Sequence, residues 1–170
     1  MTTANQLKGA KNRAAGAAFE AVVDASCEAY LIRGEAKVEK TPEPMRIIRP
    51  LGNGQYIACF TSTAQPDYKG KIADGPMVVF DAKYTSQDRI EQKVVSAAQV
   101  EALEEYAKMG AVCFVLVGFA TGNTYRVPWG VWQGMKAMYG RKYLTEADMP
   151  QFKVPSDLKV WFLHGMGGCR

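Results

Sequence analysis

Residues 77–119 decide the fold class, and they begin with Met77-Val78-Val79-Phe80-Asp81-Ala82-Lys83. This short apolar run predicts a buried strand that ends in charged side chains. A helix is predicted over residues 96–109, with Ser96 as its N-cap and Gly110 at its C-terminal end. Residues 111–119 are the most apolar run of the chain and predict a central strand. Strand, helix and strand in this order favour an α/β domain.

The remaining elements follow from periodicity and turn residues. A first helix is predicted over residues 12–31, where apolar side chains recur at helical spacing. Short strands are predicted at 36–39, 45–49 and 55–61, the last two joined by a tight turn. Residues 65–75 are predicted as a loop because Gly, Pro and Asp are frequent there. A strand at 124–127 and a helix that begins at Pro128 complete the prediction, and no element is assigned after Tyr139.

The composition allows one domain, residues 1–170, and excludes several protein classes. Hydrophobic residues make up 48% of the chain and charged residues 22%, which is ordinary for a globular protein. No apolar run reaches the roughly 18 residues that cross a bilayer, and residues 1–18 contain no signal-peptide core. We therefore expect a cytoplasmic location and no membrane partner. The four cysteines are widely spaced, which argues against a zinc site and a disulfide framework: Cys27, Cys59, Cys113 and Cys169.

The chain contains a single histidine, His164, near its C-terminus. Nucleophile–histidine triads and zinc hydrolases both require histidine in the core of the fold. If the protein is an enzyme, carboxylates, lysine or a metal ion must therefore carry its chemistry.

Acid-x-Lys triplets are candidates for that chemistry. A metal-dependent phosphodiesterase needs two converging carboxylates and a positive group near the attacked phosphate. The chain has five such triplets, which begin at Glu35, Asp67, Asp81, Glu91 and Asp157. Only Asp81-Ala82-Lys83 directly follows an apolar run, with Pro66-Asp67 a loop's length upstream. Side chains two apart on a strand share a face, so Asp81 and Lys83 point the same way. The alternative is an ordinary surface ion pair.

Two polar residues lie on or beside apolar helix faces. Gln99 precedes Leu103 by four residues and Tyr106 by seven, which places it near the inward face of its helix. A buried polar side chain needs hydrogen-bonding partners, which either the site or nearby backbone could supply. Glu20 raises the same question in the first helix.

A basic segment precedes the first acidic residue, Glu20. Lys8, Lys11 and Arg13 lie in it, and the net charge of the chain is +4. Residues 1–12 are predicted to be a flexible basic arm that contacts a polyanion, or alternatively the solvated start of a helix.

These motifs together resemble the PD-(D/E)XK nuclease superfamily, and within it the RecU family of Holliday junction resolvases and their phage-borne relatives. Pro66-Asp67 is followed by thirteen residues, then by Asp81-Ala82-Lys83 and later by Gln99. The match covers residues 12–143. Further segments that carry it are Asn12-Arg13, Gly16, Phe19-Glu20, residues 39–44, residues 65–70 and residues 110–115.

The resemblance implies a fold and a site. The fold would be a central mixed β-sheet flanked by helices, similar to restriction endonucleases, with residues 45–61 as a β-hairpin stalk. Asp67, Asp81 and the Ala82 carbonyl would bind Mg²⁺, for which Mn²⁺ can substitute, with support from Gln99. Lys83 would position the attacking water or stabilise the transition state, and Glu20 would contribute from the first helix. Lys40 and Arg46 would approach DNA, together with Lys8, Lys11 and Arg13.

The implied function is a homodimeric, magnesium-dependent endonuclease that resolves four-way DNA junctions by paired nicks, without a nucleotide cofactor. Two alternatives remain open, a restriction-like or repair nuclease of the same fold and a DNA-binding protein that has lost catalysis. Two departures from the family are visible. Asp81 stands where the family usually has glutamate, and the hairpin looks compact for a stalk.

Overall fold

The computed structural model describes residues 4–42, 45–60, 65–167 and 169. Its elements, in chain order, are α1 (Ala4–Ile32), β1 (Ala36–Lys40), β2 (Met45–Gly52), β3 (Gln55–Phe60), β4 (Tyr68–Ile72), β5 (Met77–Thr85), β6 (Arg89–Glu91), α2 (Ala97–Lys108), β7 (Val112–Phe119), β8 (Thr124–Pro128), α3 (Trp129–Gln133), α4 (Met135–Tyr139) and β9 (Tyr143–Thr145).

A five-stranded sheet in the order β1-β4-β5-β7-β8 forms the centre of the fold. β5 and β7 are parallel, and the chain between them contains α2. The other neighbours in this sheet are antiparallel. The predicted α/β class with a central mixed sheet is therefore confirmed.

Successive residues of β5 point to opposite faces of this sheet. Val78, Phe80 and Ala82 belong to the core cluster that includes α1 residues, and we call this side the α1 face. Val79 belongs to the cluster that includes Leu103 of α2, and we call this side the α2 face. Asp81 and Lys83 follow Val79 at two-residue intervals, so they lie on the α2 face.

The α1 face is built from aromatic rings. Phe80 stacks on Tyr68 and Phe114, with ring centroids 5.0 and 4.6 Å away. Phe162, from the C-terminal segment, packs against Phe80 at 4.9 Å. The segment around Val160 and Phe162 is buried in this cluster although no element was predicted there.

Strand β4 corrects the prediction of a loop over residues 65–75. Its polar sequence Tyr-Lys-Gly-Lys-Ile conceals a strand in which Tyr68 and Ile72 are buried. Gly70 permits close contact with β1, because a Cβ there would lie 2.2 Å from the Lys37 carbonyl oxygen. The glycine that suggested a loop therefore serves a close strand approach.

Helix α1 begins at Ala4, eight residues before its predicted start. The predicted arm is thus helical from Ala4 onwards, and residues 1–3 lie outside the described part. Alanine, which has the highest helix propensity, recurs in this part of α1. Residues 10–14 are exposed, so this part of the helix needs no continuous apolar stripe.

The hairpin β2–β3 forms a two-stranded sheet of its own, apart from the central sheet. All eight residues of β2 are exposed, including Ile47 and Ile48. Thr61, the last residue of the predicted stalk, lies outside the described residues. In the described part of the chain, no helix is long and apolar enough to cross a bilayer.

Candidate active site

Two carboxylates, those of Asp67 and Asp81, meet where β4 begins. Tyr68, the first residue of β4, pairs with Phe80 of the antiparallel strand β5. Asp67, just before Tyr68, therefore lies beside Asp81, just after Phe80. At this point Asp67 donates its backbone N–H to Asp81 Oδ1 over 3.0 Å. Ala82 donates its backbone N–H to Asp67 Oδ2, also over 3.0 Å. The two aspartates are therefore held by each other's strands and not only by side-chain contacts.

Lys83 bridges the pair. Its Nζ lies 3.1 Å from Asp67 Oδ2 and 3.6 Å from Asp81 Oδ2. Asp81 is completely buried and the Lys83 side chain is 18% exposed. A surface ion pair, the alternative left open by the sequence, is therefore excluded for these two residues.

Burial raises the pKa of Asp81 from 3.8 to about 6. The nearby negative charge of Asp67 also raises this pKa, whereas the positive charge of Lys83 lowers it. An ionised Asp81 thus depends on a cation close by, because burial penalises its charged form.

Gln99 closes the site from α2. It is the third residue of the helix, and its Nε2 donates to Asp67 Oδ1 over 3.3 Å and to Asp81 Oδ1 over 3.2 Å. The predicted inward position of Gln99 is confirmed by these contacts. Together the two strands and α2 assemble Asp67, Asp81, Lys83 and Gln99.

Glu20 does not join this cluster. Its carboxylate binds Lys40 Nζ at 2.6 Å, and this hydrogen bond raises the pKa of Lys40. Among the described residues, no hydrogen bond or ion pair joins Glu20 to Asp67 or Asp81, although the charge of Asp67 also contributes to the raised pKa of Lys40. Lys40, expected to approach DNA, is engaged in the same ion pair.

Asp24 was missed by the sequence reasoning. Its Oδ1 accepts a hydrogen bond of 2.6 Å from the hydroxyl of Tyr68, the residue that follows Asp67 in the chain. Burial, followed by this contact, raises the pKa of Tyr68. The available signal was the position of Asp24 one helical turn after Glu20.

The remaining residues expected at DNA are scattered. Lys11 and Arg13 are exposed on the N-terminal part of α1, and Arg46 is exposed on β2. The side chain of Lys8 lies outside the described part, although its backbone is helical. None of these residues adjoins the carboxylates in sequence.

The donor set suits a hard divalent cation. Asp67 and Asp81 supply carboxylate oxygens, and Asp81 Oδ2 is buried and has no hydrogen-bond partner among the described residues. Across the described residues, no three His, Cys, Asp or Glu side chains converge. A cation here would therefore need main-chain oxygen, such as the Ala82 carbonyl, and water in addition to the two carboxylates.

The mixed sheet and the convergence of Pro66-Asp67 with Asp81-Ala82-Lys83 define an arrangement of the PD-(D/E)XK class. Comparison with known proteins narrows this class. A family model described as "RecU: Recombination protein U" matches residues 14–155. The chain belongs to the RecU family.

Curated relatives agree with the family match. The Holliday junction resolvase RecU of Streptococcus pneumoniae (strain Hungary19A-6) is 31% identical over 98% of this chain and 91% of its own length. The Holliday junction resolvase RecU of Streptococcus oralis is 34% identical over 73% of this chain and 65% of its own length. Among solved structures, Hjc, a Holliday junction resolvase from Archaeoglobus fulgidus, matches with a TM-score of 0.46 and 18% identity. That match covers 80% of this chain and 88% of Hjc.

Proposed function

We propose that this chain is a magnesium-dependent endonuclease that resolves four-way DNA junctions by paired nicks in recombination and repair. Membership of the RecU family supports the substrate. The observation that carries the chemistry is the convergence of Asp67, Asp81, Lys83 and Gln99 where β4 begins.

In this proposal Asp67, Asp81 and the Ala82 carbonyl hold Mg²⁺, for which Mn²⁺ can substitute. The bound cation would act as a Lewis acid toward the phosphate and lower the pKa of a bound water. Gln99 orients the two carboxylates through its hydrogen bonds to Asp67 Oδ1 and Asp81 Oδ1. Glu20 contributes at most to the electrostatics of the site, because its carboxylate is bound to Lys40.

Lys83 supplies the mobile positive charge. Its ammonium lies between the two carboxylates, so a cation bound by them would compete with it for the same oxygens. Released from that ion pair, the ammonium can contact a non-bridging phosphate oxygen or orient a water. Either role stabilises negative charge that develops during phosphodiester hydrolysis.

DNA binding and assembly complete the proposal. Cutting both strands of a junction requires two sites, which a homodimer supplies. The hairpin β2–β3 carries Arg46 and Arg49 and no acidic residue between Met45 and Phe60, which suits contact with a polyanion. Lys11 and Arg13 are exposed on α1 and would supply further phosphate contacts. The side chain of Lys8 is proposed to join them.

A cleavage assay tests this function. A labelled four-way junction and a duplex of equal composition are incubated with the protein, with and without Mg²⁺. We expect symmetric nicks in the junction only when Mg²⁺ is present. Cleavage governed by base sequence in plain duplex would favour a restriction-like nuclease. Binding without cleavage would favour an inactive DNA-binding protein.

The assay includes the variant Lys83→Ala and the matched control Lys93→Ala. Lys93 forms an exposed ion pair with Glu91, at 2.5 Å, and lies in another acid-x-Lys triplet. Loss of a group that stabilises transition-state charge lowers the rate by about 10²- to 10³-fold. Lys93→Ala should cleave at the wild-type rate, and an equally active Lys83→Ala would remove Lys83 from the mechanism.

A further inference from the structure

The side-chain amide of Gln99 is hydrogen-bonded at both ends. Its Nε2 donates to Asp67 Oδ1 and Asp81 Oδ1 over 3.3 and 3.2 Å. Its Oε1 accepts from the Ser96 backbone N–H over 3.1 Å and from the Ser96 hydroxyl over 3.3 Å. Ser96 is thus linked to both carboxylates through one planar group.

Only one orientation of this amide satisfies all four contacts. If the amide were rotated by half a turn, Oε1 would face two carboxylate oxygens and Nε2 would face the Ser96 N–H. Both ends would then bring like groups together, because an amide oxygen cannot donate and an amide NH₂ cannot accept. The two donors of Ser96 and the two carboxylate oxygens therefore favour the same orientation of the Gln99 amide.

Gln99 and Lys83 contact different oxygens of the two carboxylates. Gln99 binds the Oδ1 atom of each aspartate, and Lys83 approaches the Oδ2 atom of each. The two Oδ1 atoms are held on the side of α2, so the two Oδ2 atoms remain together. Removing the hydroxyl of Ser96 would take away one of the two donors to Gln99 Oε1 and weaken the hold on this orientation, while the Ser96 backbone N–H would remain.

We propose that Ser96 is a positioning residue for this site, which acts through Gln99 to orient Asp67 and Asp81. This inference rests on the proposed function for the identity of the site. Ser96 also has a structural role, because its hydroxyl oxygen accepts the Gln99 backbone N–H over 3.3 Å and caps α2. The experiment must therefore separate the helix cap from the hydroxyl donor.

Ser96→Asp makes that separation. Aspartate is as good an N-cap as serine, but its carboxylate cannot donate to Gln99 Oε1. Ala97→Asp is the matched control, since it adds the same charge at the next position, which is exposed in the same helical turn. Ser96→Thr, which retains the hydroxyl, should behave as the wild type.

Two measurements on the DNA-free protein report the effect. The first is the side-chain amide resonance of Gln99 in ¹⁵N spectra, which should shift in Ser96→Asp and remain in place in Ala97→Asp and Ser96→Thr. The second is Mn²⁺ affinity by calorimetry. Loss of an outer-shell partner lowers metal affinity or activity by about 10- to 100-fold, which we expect for Ser96→Asp relative to Ala97→Asp. Melting temperatures of all three variants should agree with the wild type.

Junction cleavage is measured in parallel, so the two proposals fail separately. A wild-type protein that cleaves no junction would overturn the proposed function, while the Gln99 resonance still tests Ser96. If the Gln99 resonance and the Mn²⁺ affinity of Ser96→Asp equal those of Ala97→Asp, Ser96 is a helix cap only. A double variant provides a further check, since Ser96→Ala should add no loss of cleavage to Gln99→Ala if it acts through Gln99.

Discussion

The two faces of the central sheet differ in chemistry although the same strand supplies both. On the α1 face, Phe80 stacks between Tyr68 and Phe114 in an aromatic cluster without a site carboxylate. On the α2 face, the next residue of β5, Asp81, is just as deeply buried but ionisable. Alternation along one strand thus places the stabilising rings and the reactive carboxylate one residue apart.

This difference shows how a buried charge is tolerated. The stacked aromatic side supplies apolar burial that offsets the cost of desolvating Asp81 on the other side. Because the two functions lie on opposite faces, substitutions should separate them. The first two of the following predictions change one face each and measure both cleavage and stability.

The largest effect is expected for Asp81→Asn. Asparagine retains an oxygen for the Asp67 N–H and the Gln99 amide but loses the charge that holds the cation. Loss of several kcal/mol of metal-derived stabilisation lowers the cleavage rate by about two to four orders of magnitude. Thermal unfolding should be unchanged or improved, because a buried charge with a raised pKa is removed.

Asp157→Asn is the matched control for this prediction. It removes the acid of another acid-x-Lys triplet, at an exposed position. Wild-type cleavage by Asp81→Asn, or an equal loss in both variants, would show that Asp81 has no specific role in cleavage.

The second effect should appear in stability. Phe80→Ala removes the central ring of the aromatic cluster, and such a change costs about 3–5 kcal/mol of the free energy of unfolding. Met77→Ala, at the more exposed start of the same strand, should stay within about 0.5 kcal/mol of the wild type. Denaturant unfolding measures both. At a temperature where Phe80→Ala remains folded it should still cleave junctions, and a folded but inactive variant would show that the faces are coupled.

A smaller loss is expected for Tyr68→Phe. The hydroxyl of Tyr68 donates to Asp24 Oδ1 and, more weakly at 3.4 Å, to the Glu20 carbonyl oxygen. Removing a hydrogen bond to a charged group costs about 1.5–3 kcal/mol of unfolding free energy. Tyr125→Phe, whose hydroxyl donates to Glu146 on the α2 side, is the comparison. The idea that Tyr68 anchors α1 fails if its variant loses no more stability than this one.

The smallest effect concerns the part of α1 that extends beyond the aromatic cluster. The double variant Lys11→Ala/Arg13→Ala should fold normally, since both side chains are exposed. If both contact phosphates, the slope of log K against log salt falls by about 0.9 per contact, or about 1.8 in all. The control is Lys108→Ala/Lys136→Ala, which removes two exposed charges elsewhere. Equal slopes in the two double variants would mean that α1 does not contact DNA.

The strongly patterned parts of the fold could be predicted from the sequence. β5, α2 and β7 combine apolar runs with a clear helix cap, so their bounds were predicted almost correctly. β4 could not be predicted in this way, because its two buried residues, Tyr68 and Ile72, are separated by Lys-Gly-Lys and form no apolar run. Its glycine is explained only by the distance to β1, which sequence does not contain.

The sequence predicted which residues form the site better than it predicted the contacts among the residues around it. The apolar run before Asp81 and the Pro66-Asp67 pair upstream selected Asp81 and Lys83 among five triplets, and helical position selected Gln99. That Lys40 binds Glu20, and that Asp24 binds Tyr68, depends on how α1 lies against β4. Such contacts join residues 20 to 44 positions apart and leave no local pattern.

The C-terminal segment has a consequence for how the chain folds. Its backbone donates from Val160 to Ser26 Oγ and from Leu163 to the Tyr30 hydroxyl, across 134 and 133 residues. Loops of this length are entropically costly to close, and distant contacts slow folding. During synthesis, the contact of Phe80 and Phe114 with Phe162 can form only after Phe162 has emerged from the ribosome. We therefore expect the aromatic cluster to form last in folding. Nascent chains halted before Phe162 should bind chaperones that recognise exposed apolar segments.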